Sequence, residues 1–168
     1  MNWTTQLADV EKQFLAFWHR LADGRAMPAR QDFKAEQLRP WLKHLHLLEP
    51  LEGGSDFRYL VFSHQNETTG MPEMTGHCIS EWDPRRRDLA MEVYGFAAET
   101  AAPVYQATPE RNDRDVFVFS RVVVPFGTDG RVRHLMALLT SQNVETFESV
   151  RPTRIDPDYV AGLSAASD

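Results

Sequence analysis

The sequence has a single cysteine, Cys78, among 168 residues. One cysteine cannot form an intramolecular disulfide or a thiolate metal cluster, so the composition is typical of a reducing compartment. The chain also lacks any run of about 18 apolar residues, the length that a membrane-spanning helix requires. The N-terminal stretch has acidic residues and no apolar core of a signal peptide. These absences predict a cytoplasmic protein that does not contact a membrane.

Basic residues are in the minority. Lys and Arg number 18 against 24 Asp and Glu, which gives a formal net charge of −6. A general nucleic-acid-binding protein needs a basic surface, so we expect no nucleic acid partner. The sequence contains no HExxH, GxSxG, GxxxxGK[ST] or GxGxxG motif, and it therefore offers no catalytic or nucleotide-binding signature.

What the chain does contain is enough apolar material for one folded domain. Hydrophobic residues make up 42% and aromatic residues 11% of the sequence, which is inconsistent with a disordered chain. We expect an N-terminal amphipathic helix over residues 1–24, a domain over 25–145 and a surface extension over 146–168.

The N-terminal helix is predicted from large apolar residues that recur at alternating steps of three and four. Such spacing places them on one seam of a helix, which Asp23-Gly24 then terminates. The seam is longer than one small sheet can cover, and an exposed apolar strip of this kind marks a partner surface. We therefore expect a homodimer in which these helices meet, through Trp3, Leu7, Val10, Phe14, Phe17 and Leu21.

The remaining pattern predicts strands at both ends of a helical middle. Residues 44–52 and 57–63 form a hairpin around Gly53-Gly54, and 103–107, 116–126 and 131–142 supply three more strands. Between them, Asp83 caps a helix that starts at Pro84, stops before Pro103 and buries Leu89, Val93, Phe96 and Ala97. The expected fold is α+β, a five-stranded antiparallel sheet with helices on one face and an N-terminal helix.

Several short motifs accompany this order of elements. They are Thr69-Gly70, Glu73 and Gly76; Trp18 and Gly24; Pro28-Ala29-Arg30-Gln31-Asp32-Phe33; Arg121 and Pro125; and Asp129-Gly130. With the first of these motifs, the order of elements resembles the PAS fold. With the others, the chain resembles more closely a small, largely uncharacterised alphaproteobacterial PAS-like family, and the resemblance covers roughly residues 14–142. It implies a sensory or regulatory module that is often dimeric and has no catalysis of its own.

The cofactors of PAS proteins are not expected here. Flavin-binding light sensors of this superfamily place a reactive cysteine after the second glycine, within G-x-N-C-R-F-L-Q. In this sequence Cys78 falls one residue early, and the residues that would hold the flavin are missing. Residues 84–102 contain no histidine to ligate haem iron. We interpret Cys78 as a buried scaffold residue.

Histidines and arginines give two further candidate sites. His44 and His46 alternate on one strand and could share a metal ion, but a third ligand (His134 or Glu49) is not fixed by the sequence. Two histidines on the solvent face of a half-buried strand explain the pattern without a metal. Arg85-Arg86-Arg87 opens the long helix, either as an anion-binding cluster or as a solvated face. We predict no metal.

A pocket between the sheet and the central helices is implied by the resemblance, although a completely filled core fits the same residues. Alternation in the second strand brings inward either Phe57, Tyr59 and Val61 or Leu60, Phe62 and His64. Arg121 either points into the pocket or lies on the outer face under the N-terminal helix. The residues predicted to bind a ligand are Phe62, His64, Trp82, Tyr94, Phe119 and Arg121.

Two functions follow from these observations. The first is a stand-alone PAS-like module that binds a small molecule or a regulatory protein partner. The second is a small α+β-barrel enzyme, an isomerase or hydratase, in which His64 or His134 with a carboxylate acts as general base. The enzyme would require a histidine–carboxylate hydrogen bond that faces an open cavity.

Overall fold

The computed structural model of the protein describes residues 2–63, 72–111, 116–143 and 148–166. His64, one of the predicted ligand-binding residues, lies outside this part of the chain, as do Thr69 and Gly70. The α-helices are α1 (Asp9–Ala22), α2 (Pro84–Thr100) and α3 (Pro157–Ala166). The strands are β1 (Leu45–Leu51), β2 (Asp56–Val61), β3 (Val104–Arg111), β4 (Val116–Thr128), β5 (Arg131–Asn143) and β6 (Val150–Arg154).

All six strands form one antiparallel sheet in the order β2-β1-β5-β4-β3-β6. The five predicted strands are confirmed. The β1–β2 hairpin turns through Gly53 and Gly54, which have φ angles of 72° and 92° that residues with a side chain rarely adopt. The sequence prediction missed β6, which pairs with the edge of β3.

The α2 helix covers one face of the sheet, which we call the inner face. The Asp83 carboxylate accepts a hydrogen bond from the backbone N–H of Arg86 (3.2 Å), and Pro84 opens the helix, as predicted. The predicted buried stripe is only partly right, because Leu89 and Phe96 are half-buried. The stripe is rotated toward Ala90, Val93, Tyr94 and Ala97.

The opposite, outer face is covered by α1, by α3 and by the 3₁₀ segment Ala35–His44. The predicted N-terminal helix is broken into a 3₁₀ turn, Trp3–Gln6, followed by α1. Its apolar seam packs against this chain: Leu7 and Phe14 are buried, and the Trp3 ring stacks on Tyr105 with ring centroids 4.8 Å apart. The remaining seam residues are partly buried against the same core, namely Val10, Phe17 and Leu21.

This packing removes the reason for which a helix-mediated dimer was expected. The apolar seam is covered by the chain's own sheet and by neighbouring helices, so it is not the exposed strip that the spacing suggested. The homodimer, and the part of the seam residues in it, stay predictions.

The C-terminal segment differs from the predicted surface extension. Residues 150–154 form β6, and α3 packs against α1. Ile155 and Val160 are buried in the outer-face core, and the Ile155 N–H donates to the Pro103 carbonyl (2.9 Å). The described part of this segment is therefore integral to the fold.

One acidic side chain is buried beneath α1. Glu11 accepts hydrogen bonds from the Ala8 N–H (2.9 Å) and from the Ser120 hydroxyl (3.1 Å), and Ser120 is in turn hydrogen-bonded to Thr140 (2.7 Å). Burial is the main cause that raises the pKa of Glu11 to about 7, against the lowering effect of these hydrogen bonds.

No helix in the described part of the chain combines the length and apolarity that a membrane crossing requires.

Candidate functional site

A small cavity lies between the inner face of the sheet and α2. Its volume is about 40 Å³. Aromatic rings and aliphatic groups form most of the wall, and six side chains with polar groups line it from β1, β2, β4, α2 and the segment before α2. The residues that line it are His46, Tyr59, Phe62, Trp82, Arg86, Ala90, Tyr94, Phe119, Arg121 and Leu139.

Arg121 is the most distinctive of these side chains. Because β4 places odd-numbered residues on the inner face, Arg121 points toward α2 together with Phe119 and Val123, and the outer-face placement is excluded. Its guanidinium carbon lies 5.7 Å from the centroid of the Tyr94 ring. The Nε and Nη1 atoms are buried and have no hydrogen-bond partner among the described residues.

Trp82 and two tyrosines place polar groups on the wall of the cavity. The Trp82 indole N–H donates to the Tyr59 hydroxyl (3.3 Å), and Tyr94 lines the same cavity. Burial raises the pKa of both phenols above its ordinary value, so both are protonated at neutral pH. These side chains supply neutral hydrogen-bonding groups to the cavity.

His46 is neutral. Burial, and secondarily the positive charge of Arg121, lowers the pKa of His46 to about 3. Its Nδ1 accepts a hydrogen bond from the Ser63 N–H (3.0 Å), so the ring proton resides on Nε2. The ring stacks on Phe62, with centroids 4.3 Å apart.

The sequence model of the PAS domain family matches residues 8–147. The chain belongs to the PAS domain family. The predicted resemblance and the α+β fold are thereby confirmed, and the chain is a sensory module of PAS type. No curated protein matches the sequence.

Solved structures show a weaker likeness. One matching chain, from work entitled "Flavin Analogue Sheds Light on Light-Oxygen-Voltage Domain Mechanism", is 13% identical with a TM-score of 0.43. The match covers 79% of this PAS chain and 91% of that chain.

Five of the six predicted ligand-binding residues meet at the cavity: Phe62, Trp82, Tyr94, Phe119 and Arg121. Neither predicted alternation of β2 is complete. Phe57 and Tyr59 face inward, but Val61 is 48% exposed, because the pairing of β1 with β2 shifts register between Leu47 and Leu48. The chain leaves the strand after Val61, so Phe62 also reaches the cavity. Ligand binding by these residues stays a prediction.

The sequence analysis did not choose His46 or Arg86 for this site. His46 was interpreted as a solvent-exposed strand residue, but it is buried. It lies two residues before Leu48 in β1, so both side chains are on the inner face of the sheet. The Arg86 guanidinium carbon lies 5.5 Å from the Trp82 ring centroid, at the exposed mouth of the cavity. The sequence signal for Arg86 was the arginine triplet at residues 85–87, and of these three only Arg86 lines the cavity.

The cavity does not fit a flavin. Pockets for ligands of that size measure roughly 300–1,000 Å³, about ten times the volume found here. Cys78 is half-buried rather than fully buried, and it lies outside the residues that line the cavity. Its backbone N–H donates to the Glu81 carboxylate (2.6 Å), which is a structural role.

The histidines show no arrangement for general-base catalysis in the part of the chain that is described. His134 borders an open groove that Glu49 also borders, but its Nδ1 is buried without a hydrogen-bond partner. Burial lowers the pKa of His134. The hydrogen-bonded pair His77 and Glu81 (3.1 Å) is exposed on the surface. Among the described residues, no group of three potential ligands could hold a metal ion.

Proposed function

We propose that this PAS module binds a small molecule in the cavity between α2 and the sheet and signals its presence to a regulatory protein partner, without catalysing a reaction. The observation that carries the proposal is the convergence of Tyr59, Trp82, Tyr94, His46 and Arg121 on one cavity with aromatic walls. A few polar groups within an apolar wall are what small-molecule sites generally require.

The chemistry of the cavity favours binding over catalysis. A histidine with a pKa of about 3 is a weak proton acceptor, and the two tyrosines keep their protons at neutral pH. General acid–base catalysis is most efficient when the pKa of the catalytic group is near the working pH. These side chains can therefore orient a ligand but do not transfer protons readily.

The proposal can be tested by filling the cavity. Ala90 is buried on the α2 side of the cavity, so Ala90→Leu should occupy the space that a ligand needs. Ala98→Leu is the matched control, because Ala98 is half-buried on the same helix and lines the neighbouring groove instead. A fragment library of molecules with only a few heavy atoms each is screened by NMR through the indole N–H resonance of Trp82.

We expect some fragments to shift the Trp82 resonance in the wild type and in the control Ala98→Leu, but not in Ala90→Leu. If Ala90→Leu perturbs folding, Leu139→Phe fills the cavity from the sheet side. The proposal would be overturned if fragments bound Ala90→Leu and Leu139→Phe as well as they bind the wild type. It would also be overturned if no fragment bound the wild type.

A further inference from the structure

The charged residues in the described lining of the cavity are all cationic. Two lining residues are cationic, Arg121 inside and Arg86 at the mouth, and the described lining contains no carboxylate. Around them, His46 from β1 is neutral, as are Tyr59 from β2 and Tyr94 from α2. Asp83 pairs with Arg86 at 3.5 Å, and both side chains are about half exposed. The interior of the cavity is therefore electropositive.

The guanidinium of Arg121 lacks the partner that burial normally demands. Burying a cation away from water is costly unless an anion or several acceptors replace the lost hydration. Here two of its N–H groups have no acceptor among the described residues. The ring of Tyr94 offers only a weak cation–π contact. An anion in the cavity would supply the missing acceptors through charge-assisted hydrogen bonds.

The neighbouring donors complement such an anion. The Tyr59 hydroxyl accepts from the Trp82 indole N–H (3.3 Å). Tyr94 lines the same cavity and keeps its proton at neutral pH, because burial raises its pKa, so it is a neutral donor to a ligand. The Nε2–H of His46 is a second neutral donor on the cavity wall. Neither group carries a negative charge that would repel an anion.

The volume limits the size of the ligand. A buried water molecule occupies about 10–15 Å³, and the volume of the cavity is about 40 Å³. The cavity therefore accepts a molecule of only a few heavy atoms. The planar fork of a guanidinium pairs two N–H groups with two coplanar oxygens, and this geometry is that of a carboxylate.

We propose that the ligand is a small carboxylate of about the size of acetate, bound to the Arg121 guanidinium beside Tyr94. This inference rests on the proposed function and specifies its ligand class. Inorganic planar oxyanions, such as nitrate, share part of the same chemistry, so the experiment includes one.

The probes are sodium acetate, sodium nitrate and the neutral isostere acetamide, in a chloride buffer of constant ionic strength. The variants are Arg121→Met and the matched control Arg133→Met, which removes an exposed arginine of β5. Binding is followed by isothermal titration calorimetry and by the Trp82 indole resonance. We expect acetate to bind the wild type and Arg133→Met equally and Arg121→Met at least about tenfold more weakly, since charge-assisted hydrogen bonds are lost. Acetamide should bind the wild type at least about tenfold more weakly than acetate.

Several results would overturn the inference. Nitrate that binds more tightly than acetate would assign the site to an inorganic anion. Acetamide that matches acetate, or acetate binding that survives in Arg121→Met, would show that charge does not determine recognition. If acetate does not bind while neutral fragments do, and Ala90→Leu abolishes their binding, the carboxylate assignment fails and the small-molecule function stands. If neither acetate nor neutral fragments bind the wild type, the proposed function fails as well.

A second measurement needs no ligand. Because an unpaired buried cation destabilises the fold, we expect Arg121→Met to have a thermal midpoint in chloride buffer at least as high as that of Arg133→Met. A clearly lower midpoint would show that Arg121 serves the fold, and it would contradict the ligand-binding role.

Discussion

The indole N–H of Trp18 donates a buried hydrogen bond to the carbonyl of Pro125, at 2.8 Å across 107 residues of sequence. The two residues belong to separate motifs that the sequence analysis had singled out. A second bond of the same kind runs from the Gly127 N–H to the Pro28 carbonyl (2.9 Å). Trp18, Pro28 and Pro125 of these motifs thus fasten α1 and the following segment to β4.

Trp18→Phe should destabilise the protein by about 1–3 kcal/mol, because it leaves the Pro125 carbonyl unpaired in the interior. The matched control is Trp41→Phe. Trp41 is also buried, but its indole nitrogen has no hydrogen-bond partner among the described residues. Urea unfolding of both variants separates the hydrogen bond from the change in ring size. Equal losses would contradict the assignment.

Glu11 should make stability depend on pH. Its folded-state pKa of about 7 lies above the ordinary value of 4.5, so the protonated form favours folding. This stabilisation is complete below about pH 4.5 and is lost as the pH rises through 7. Glu11→Gln should remove the dependence and be more stable than the wild type at pH 8.5, by up to about 3 kcal/mol.

Asp9→Asn is the control for Glu11→Gln, because Asp9 is in the same first turn of α1 but exposed. Chemical denaturation at pH 5, 7 and 8.5 gives the comparison. A Glu11→Gln curve parallel to that of the wild type would show that Glu11 does not titrate in this range.

Phe14→Glu should abolish cooperative folding rather than dissociate a dimer. Phe14 is buried against Trp41, with ring centroids 5.6 Å apart, and a carboxylate there would have no described partner. The expected cost is at least about 4 kcal/mol, a large part of the stability of a small domain. Circular dichroism melting makes the comparison with Gln13→Glu at an exposed neighbouring position. If the wild type were dimeric and Phe14→Glu were folded and monomeric, the result would support the helix-mediated dimer instead.

The purified protein should be colourless. The cavity is too small for a flavin, Cys78 lies outside it, and α2 has no histidine for haem iron. Absorption spectra are recorded after expression with added riboflavin and after expression with added haem precursor. A stoichiometric flavin or Soret band would contradict this prediction.

The sequence predicted the main elements well, because hydrophobic alternation and capping residues are local signals. Asp83-Pro84 and Gly53-Gly54 mark α2 and the hairpin with little dependence on the rest of the chain. It could not assign the inward face of β2, since that depends on a register shift with β1.

Long-range features were less accessible. The pairing of β6 depends on the edge that β3 offers, and residues 150–154 carry a proline and little alternation. The site residues Trp82, Tyr94 and Phe119 could be predicted because the fold places them. His46 escaped prediction because its burial depends on contacts with Phe62 and Tyr59.

Strand addition by another molecule is hindered at both borders of the described sheet. At β2 the outer backbone groups of Tyr59 are already used, since its N–H donates to the His77 carbonyl (3.0 Å) and its carbonyl accepts from Gly76 (2.7 Å). At β6 the strand is five residues long, and Pro152 has no N–H to donate. At these positions a second chain would have to displace existing hydrogen bonds or pair with an interrupted strand. Contacts between side chains are therefore the less costly route for another molecule that approaches these borders.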